Sequence, residues 1–113
     1  MPLVEAAVCL AEHKVEHGDT EDQLLTDLTA LLDTCTRNVG PVHRISAYTA
    51  SARGLLLERR GQMVEAEAEL RGALATQDSI HGEEFGYTKK TQRRLELLLS
   101  GTGFLGKQLE QKA

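Results

Sequence analysis

Glycines punctuate this chain at a fixed interval. Gly18 and Gly61 stand 43 residues apart, and Gly40 and Gly82 stand 42 apart, as do Gly61 and Gly103. Between them lie segments whose apolar residues recur every three or four positions, the spacing of a helix with one buried face. Two such helices per period of 42–43 residues is the pattern of a helical repeat array. In such an array each helix pair leaves an apolar face that only a neighbouring pair can cover. Composition points the same way. Only 4% of the residues are aromatic, which argues against an all-β domain, and the leucines and alanines that dominate the apolar set favour helix. The expectation is an all-α domain, and a chain of 113 residues has room for one.

Punctuation and periodicity predict five helical segments. The first runs from about Pro2 to His17 and stops at Gly18. The second opens at Thr20, where Thr20-Glu21-Asp22-Gln23 fits a capping box. It carries Leu24, Leu28, Leu31 and Cys35 on one stripe and ends at Asn38-Val39-Gly40-Pro41. The third covers about Val42 to Arg60, with Ile45, Tyr48, Ala52 and Leu55 or Leu56 at helical steps. The fourth starts near Gln62, places Met63, Ala66, Leu70 and Ala73 on one face with Leu74 beside it, and closes at His81-Gly82; Ala66, Leu70 and Leu74 are expected to be buried. The fifth spans about Glu83 to Ser100. A short sixth segment, Phe104 to Lys112, has Phe104 and Leu105 expected to dock and the residues after Leu109 expected to fray.

The stretch from Ala47 to Leu74 resembles a tetratricopeptide repeat. Gly54 matches the small residue that lets paired helices approach, Gly61 the turn glycine, Ala66 the alanine at the helix crossing, and Ala73-Leu74 the Ala-Leu near the end of the second helix. The long period, with Val39-Gly40-Pro41-Val42-His43 and His81-Gly82-Glu83-Glu84-Phe85 as linkers, is similar to the variety found in kinesin light chains. The likeness covers about residues 4–101 and is strongest in the middle repeat. It implies antiparallel helix pairs stacked as a short right-handed superhelix of about two and a half repeats. Repeat one would span about 2–41, repeat two about 42–82 and a partial repeat three about 83–113, within a single domain of residues 1–113.

By the same resemblance, the first helix of each pair lines a concave groove that binds a peptide or partner protein. Glu5, Val8, Cys9 and Glu12 would face it from repeat one. Tyr48, Ser51, Ala52, Leu55 and Arg59 would do so from repeat two, and Lys90, Arg93, Arg94 and Leu97 from repeat three. Tyr48, Leu55 and Leu97 are the expected anchors, with Lys90, Arg93 and Arg94 supplying charge. Kinesin-light-chain-like repeats often carry asparagines in mid-groove, where this chain has Ser51-Ala52 and Arg93-Arg94, so that family's cargo class is not carried over.

The net charge of −4 disfavours nucleic acid as a partner. It is unevenly placed: residues 1–40 carry −6 and the remainder +2. These charges are either solvated helix faces or surfaces that attract opposite partners, or each other. The basic run Lys89 to Arg94 is either a solvated face or a surface for an acidic peptide or a neighbouring subunit, with phosphate or nucleic acid as the remaining alternative.

Little in the sequence points to chemistry. Cys9, His13 and His17 share a helix face, but they extend over about 12 Å of helix axis, too far for one metal ion to hold all three comfortably. Gly101-Thr102-Gly103-Phe104-Leu105-Gly106 matches a dinucleotide fingerprint by spacing, yet a helical segment precedes it where a strand is required. No catalytic residue, metal or cofactor is expected. Two cysteines are too few for a disulfide framework, and Cys35, among leucines, is expected buried and reduced. No apolar run approaches the roughly 20 residues of a membrane span, and the N-terminus lacks secretory features. These features suggest a cytoplasmic setting. The leading expectation is a non-catalytic protein-interaction module. The alternative is a self-associating structural or scaffold segment of a larger protein, including a homo-oligomer.

Overall fold

The computed structural model describes residues 2–40, 42–82 and 86–100. They form five helices: α1 (Pro2–Glu16), α2 (Asp22–Val39), α3 (Arg44–Arg59), α4 (Met63–His81) and α5 (Gly86–Ser100). No strand occurs among the described residues, so the fold is all-α. The sixth segment, with Phe104, Leu105 and Leu109, lies outside the described residues, as do Gly101 to Gly106.

The punctuating glycines explain the turns. Gly18, Gly40, Gly61 and Gly82 have φ of 98°, 89°, 86° and 80°, where a side chain would meet its own backbone and glycine does not. The repeat spacing in the sequence is therefore a spacing of left-handed turn residues.

One boundary departs from expectation. Helix α2 begins at Asp22, its N-cap is Glu21, and no side chain caps it. The capping box at Thr20 does not form: the N-cap falls one residue later, and the Gln23 side chain donates to Asp27 Oδ1 instead of reaching back. Arg60, in the α3–α4 turn, donates to the Thr20 carbonyl at 2.6 Å and to Asp22 Oδ1 at 2.7 Å, while Asp19 Oδ1 accepts from the Glu21 amide at 3.0 Å.

Side-chain contacts give the topology. Thr29 meets Arg53 and Cys35 meets Thr49, so α2 and α3 are antiparallel. Arg53 pairs with Glu69, while Ser46 and Ala47 lie alongside Ala73 and Thr76, so α3 and α4 are antiparallel too. Along α1 and α3, Glu12 meets Tyr48 and Val15 meets Arg59. Along α3 and α5, Tyr48 meets Tyr87 and Ser51 meets Thr91 and Arg94. Helices α1, α3 and α5 thus lie side by side and parallel, with α3 in the middle.

The core follows the predicted stripes. Leu24, Leu28, Ala52 and Leu56 pack with Ala11 and Val15 in one cluster, and Val8, Cys35, Ile45 and Tyr48 form a second. Leu70 is 1% exposed and Ala66 0%. Gly54 shows why a glycine is needed in mid-helix: an added Cβ would sit 2.8 Å from Leu70 Cγ. One expectation needs correction. Leu74 is half-buried, beside a cleft between α4 and α5. Leu95 is 7% exposed, on the α4 side of α5.

Candidate functional site

The face shared by α1, α3 and α5 carries a buried polar network. On α1, Glu12 and Glu16 are four residues apart and share a helix face; on α5, Lys90 and Arg94 do the same. The two ladders meet across α3. Arg94 Nη2 lies 2.8 Å from Glu12 Oε2 and 3.7 Å from Glu16 Oε2. Lys90 Nζ lies 3.2 Å from Glu12 Oε1 and 3.3 Å from Glu16 Oε2. Packed helices sit about 8–10 Å apart, so helices flanking a third are too distant for direct backbone contact. The long Arg94 side chain closes the gap over Ser51, whose small side chain leaves room and whose Oγ accepts from Arg94 Nη1 at 2.9 Å.

Other groups complete the network. Ser51 Oγ and Thr91 Oγ1 are hydrogen-bonded at 2.7 Å. The Tyr48 hydroxyl donates to Glu12 Oε1 at 3.0 Å and lies 3.4 Å from Cys9 Sγ. Both oxygens of Glu12 are therefore engaged. Burial pushes the Glu12 carboxyl up, but the hydrogen bond and charge of Arg94, followed by those of Lys90, outweigh it and hold the group below the usual carboxylate range. Burial, contact with Cys9 and the adjacent Glu12 charge push the Tyr48 phenol up, so it stays protonated and remains a donor. This pattern holds Glu12 charged and Tyr48 neutral near pH 7, each fixed in a structural bond.

Beside the network opens a cleft of about 350 Å³ bounded by α1, α3, α4 and α5, lined by Glu5, Ala6, Cys9, Arg44, Tyr48, Gln77, His81 and Tyr87. The Tyr48 and Tyr87 rings lie 4.7 Å apart at 32°. Arg44 and Glu5 form an ion pair, both partly exposed. Tyr48 belongs to both cleft and network, so the two are continuous.

The structure places the expected groove residues in different environments. Tyr48, Ser51, Lys90 and Arg94 come together, but around the acids of α1 and not on an open basic surface. Arg94 is buried, with its side chain 8% exposed, and Lys90 keeps an exposed flank. Arg59 donates to the Val15 carbonyl. Leu55 belongs to the core cluster of α1, α2 and α3, so it is no open anchor. Val8 is likewise buried. Leu97 is half-buried and Arg93 exposed on α5. Glu16, Thr91, Gln77 and Tyr87 take part in this face without having been expected to. The opposite charges of the two halves were the available signal for Glu16.

His13 and His17 stack with ring centroids 4.0 Å apart, and His17 Nδ1 lies 2.8 Å from the His13 carbonyl. Among the described residues no three histidine, cysteine or acidic side chains gather as metal ligands. Cys35 is buried and Cys9 exposed, both as free thiols. No described helix is long and apolar enough to cross a membrane.

Comparison with family models, curated proteins and solved structures finds no match to this chain.

Proposed function

We propose that the chain is a non-catalytic interaction module, a short tetratricopeptide-like array that binds a segment of a partner protein along the face of α1, α3 and α5. The observation that carries this reading is the cleft continuous with that face, with its paired tyrosines and mixed polar lining. Parallel alignment of the three helices supports the array, as does the recurrence of left-handed glycines at the repeat period. The basic ladder is neutralised from within by Glu12 and Glu16. Charge selectivity toward an acidic partner therefore rests on Arg93, exposed beside it, more than on Arg94. Panning a random 12-residue peptide library against the full chain tests the reading. Binders that are lost on the Arg93→Glu/Tyr87→Ala double variant support it; binders retained at unchanged affinity contradict it.

A self-associating structural segment is the second reading. Leu10 is 57% exposed beside an apolar cleft between α1 and α2 that includes Ala30 and Leu31, and Leu99, on the last helix, is 52% exposed. Light scattering across concentration distinguishes the two: growth in mass that Leu10→Glu suppresses favours self-association.

A further inference from the structure

The cleft beside the network contains a buried group with an unmet need. Gln77, on α4, lines it and is 2% exposed, yet its carboxamide oxygen has no hydrogen-bond partner. Buried acceptors are almost always satisfied, because an unmade hydrogen bond forfeits the solvation the group had in water. Three further observations narrow what would satisfy it. Apart from His81, the ionic side chains of the lining are one cation and one anion, Arg44 and Glu5, already paired with each other, so that pair offers no net charge to a ligand. A charged group brought to a buried carboxamide would lose its hydration without a counter-ion, which selects a neutral donor. One wall consists of the Tyr48 and Tyr87 rings, with the Tyr48 hydroxyl tethered to Glu12, and a fixed aromatic face favours a flat group stacked on it.

We infer that this cleft is a subsite for a flat, neutral carboxamide, the side chain of a glutamine or asparagine in the partner segment, which donates its N–H to Gln77 while lying against the tyrosine rings. The inference rests on the reading that a partner segment lies along the α1, α3 and α5 face. It adds the chemical class of the residue that segment presents next to Tyr48.

Cys9 supplies the readout, since it is exposed and lines the cleft whereas Cys35 is buried. Alkylation of the full chain by iodoacetamide is followed at both thiols in the presence of benzamide, benzoate or benzylammonium at about 10 mM, three probes of one shape and different charge. Benzamide is expected to slow alkylation of Cys9 at least threefold and leave Cys35 unchanged, with smaller effects from the two ions. Gln77→Leu should remove that protection. Because Gln77 is buried, Ala6→Leu, which narrows the cleft from α1, serves as a second variant and should remove it too. Equal or stronger protection by benzoate would mean that Arg44 governs the cleft, and by benzylammonium that Glu5 and the ring faces do; either overturns the assignment, as does no protection by benzamide. Peptides selected in the panning experiment without benzamide protection would sink the carboxamide subsite alone. Benzamide protection with no variant-sensitive peptide would sink the partner-segment reading.

Discussion

Two of the interfaces that hold α3 in place are built on opposite principles. Toward α4 the contact is close and largely apolar, with Gly54 against Leu70 and with Ala66 and Ala73 buried. Where α1 and α5 meet over α3 it is polar, with Ser51, Tyr48 and Thr91 around the Glu12–Arg94 pair, beside the apolar packing of Val8, Ala11 and Val15. Burying apolar surface is favourable almost regardless of orientation, so the first interface supplies stability. A buried ion pair contributes little net stability, because desolvation offsets the attraction, but it is costly to break by halves. The second interface therefore sets how three parallel helices align, and with them the shape of the face they share.

That contrast predicts unequal responses to substitution. The largest is expected at Arg94→Met, which leaves Glu12 charged and buried and should cost about 3–5 kcal/mol by denaturant unfolding. Leu70→Ala should follow at about 2–5 kcal/mol, the range for a core leucine. Gly54→Ala, which forces Leu70 to move while improving helix propensity, should cost about 1 kcal/mol net. If Gly54→Ala were stabilising, the close approach of α3 and α4 would not be the tight contact described.

The smallest effect concerns pH. Glu12 is held below its usual range in the folded chain, so its stabilising contribution is complete above the unfolded carboxyl pKa of about 4.3 and is lost as pH falls through the lower folded value. Glu12→Gln should therefore flatten the decline in stability below about pH 5 while lowering stability near neutrality. An unchanged acid limb in urea titrations at several pH values would show that Glu12 is not held by Arg94 and Lys90.

The two interfaces also differ in how far they could be read in advance. The turns were legible because Gly18, Gly40, Gly61 and Gly82 occupy backbone conformations that other residues avoid. Leu28, Ala66 and Leu70 were legible from helical period. The polar interface was not, because periodicity reports which face of a helix is buried and says nothing about which charges on separate helices meet. Glu12 and Arg94 lie 82 residues apart. Their pairing depends on α1 and α5 flanking the same side of α3, and on Ser51 being small enough to pass beneath. The uneven charge of the two halves permitted mutual attraction but did not single it out from attraction to partners. Thr20 differs for a local reason: the N-cap falls one residue later, at Glu21, and Gln23 turns to Asp27.

The most direct test of the polar interface is a double-mutant cycle on Glu12→Met and Arg94→Met, with unfolding free energies measured near pH 7. If the pair spans the face as described, each single change destabilises, and the double variant recovers much of the loss, giving a coupling energy of about 1–3 kcal/mol. Losses that add to within about 0.5 kcal/mol would mean that Glu12 and Arg94 do not act as a pair, and that something else aligns α1, α3 and α5.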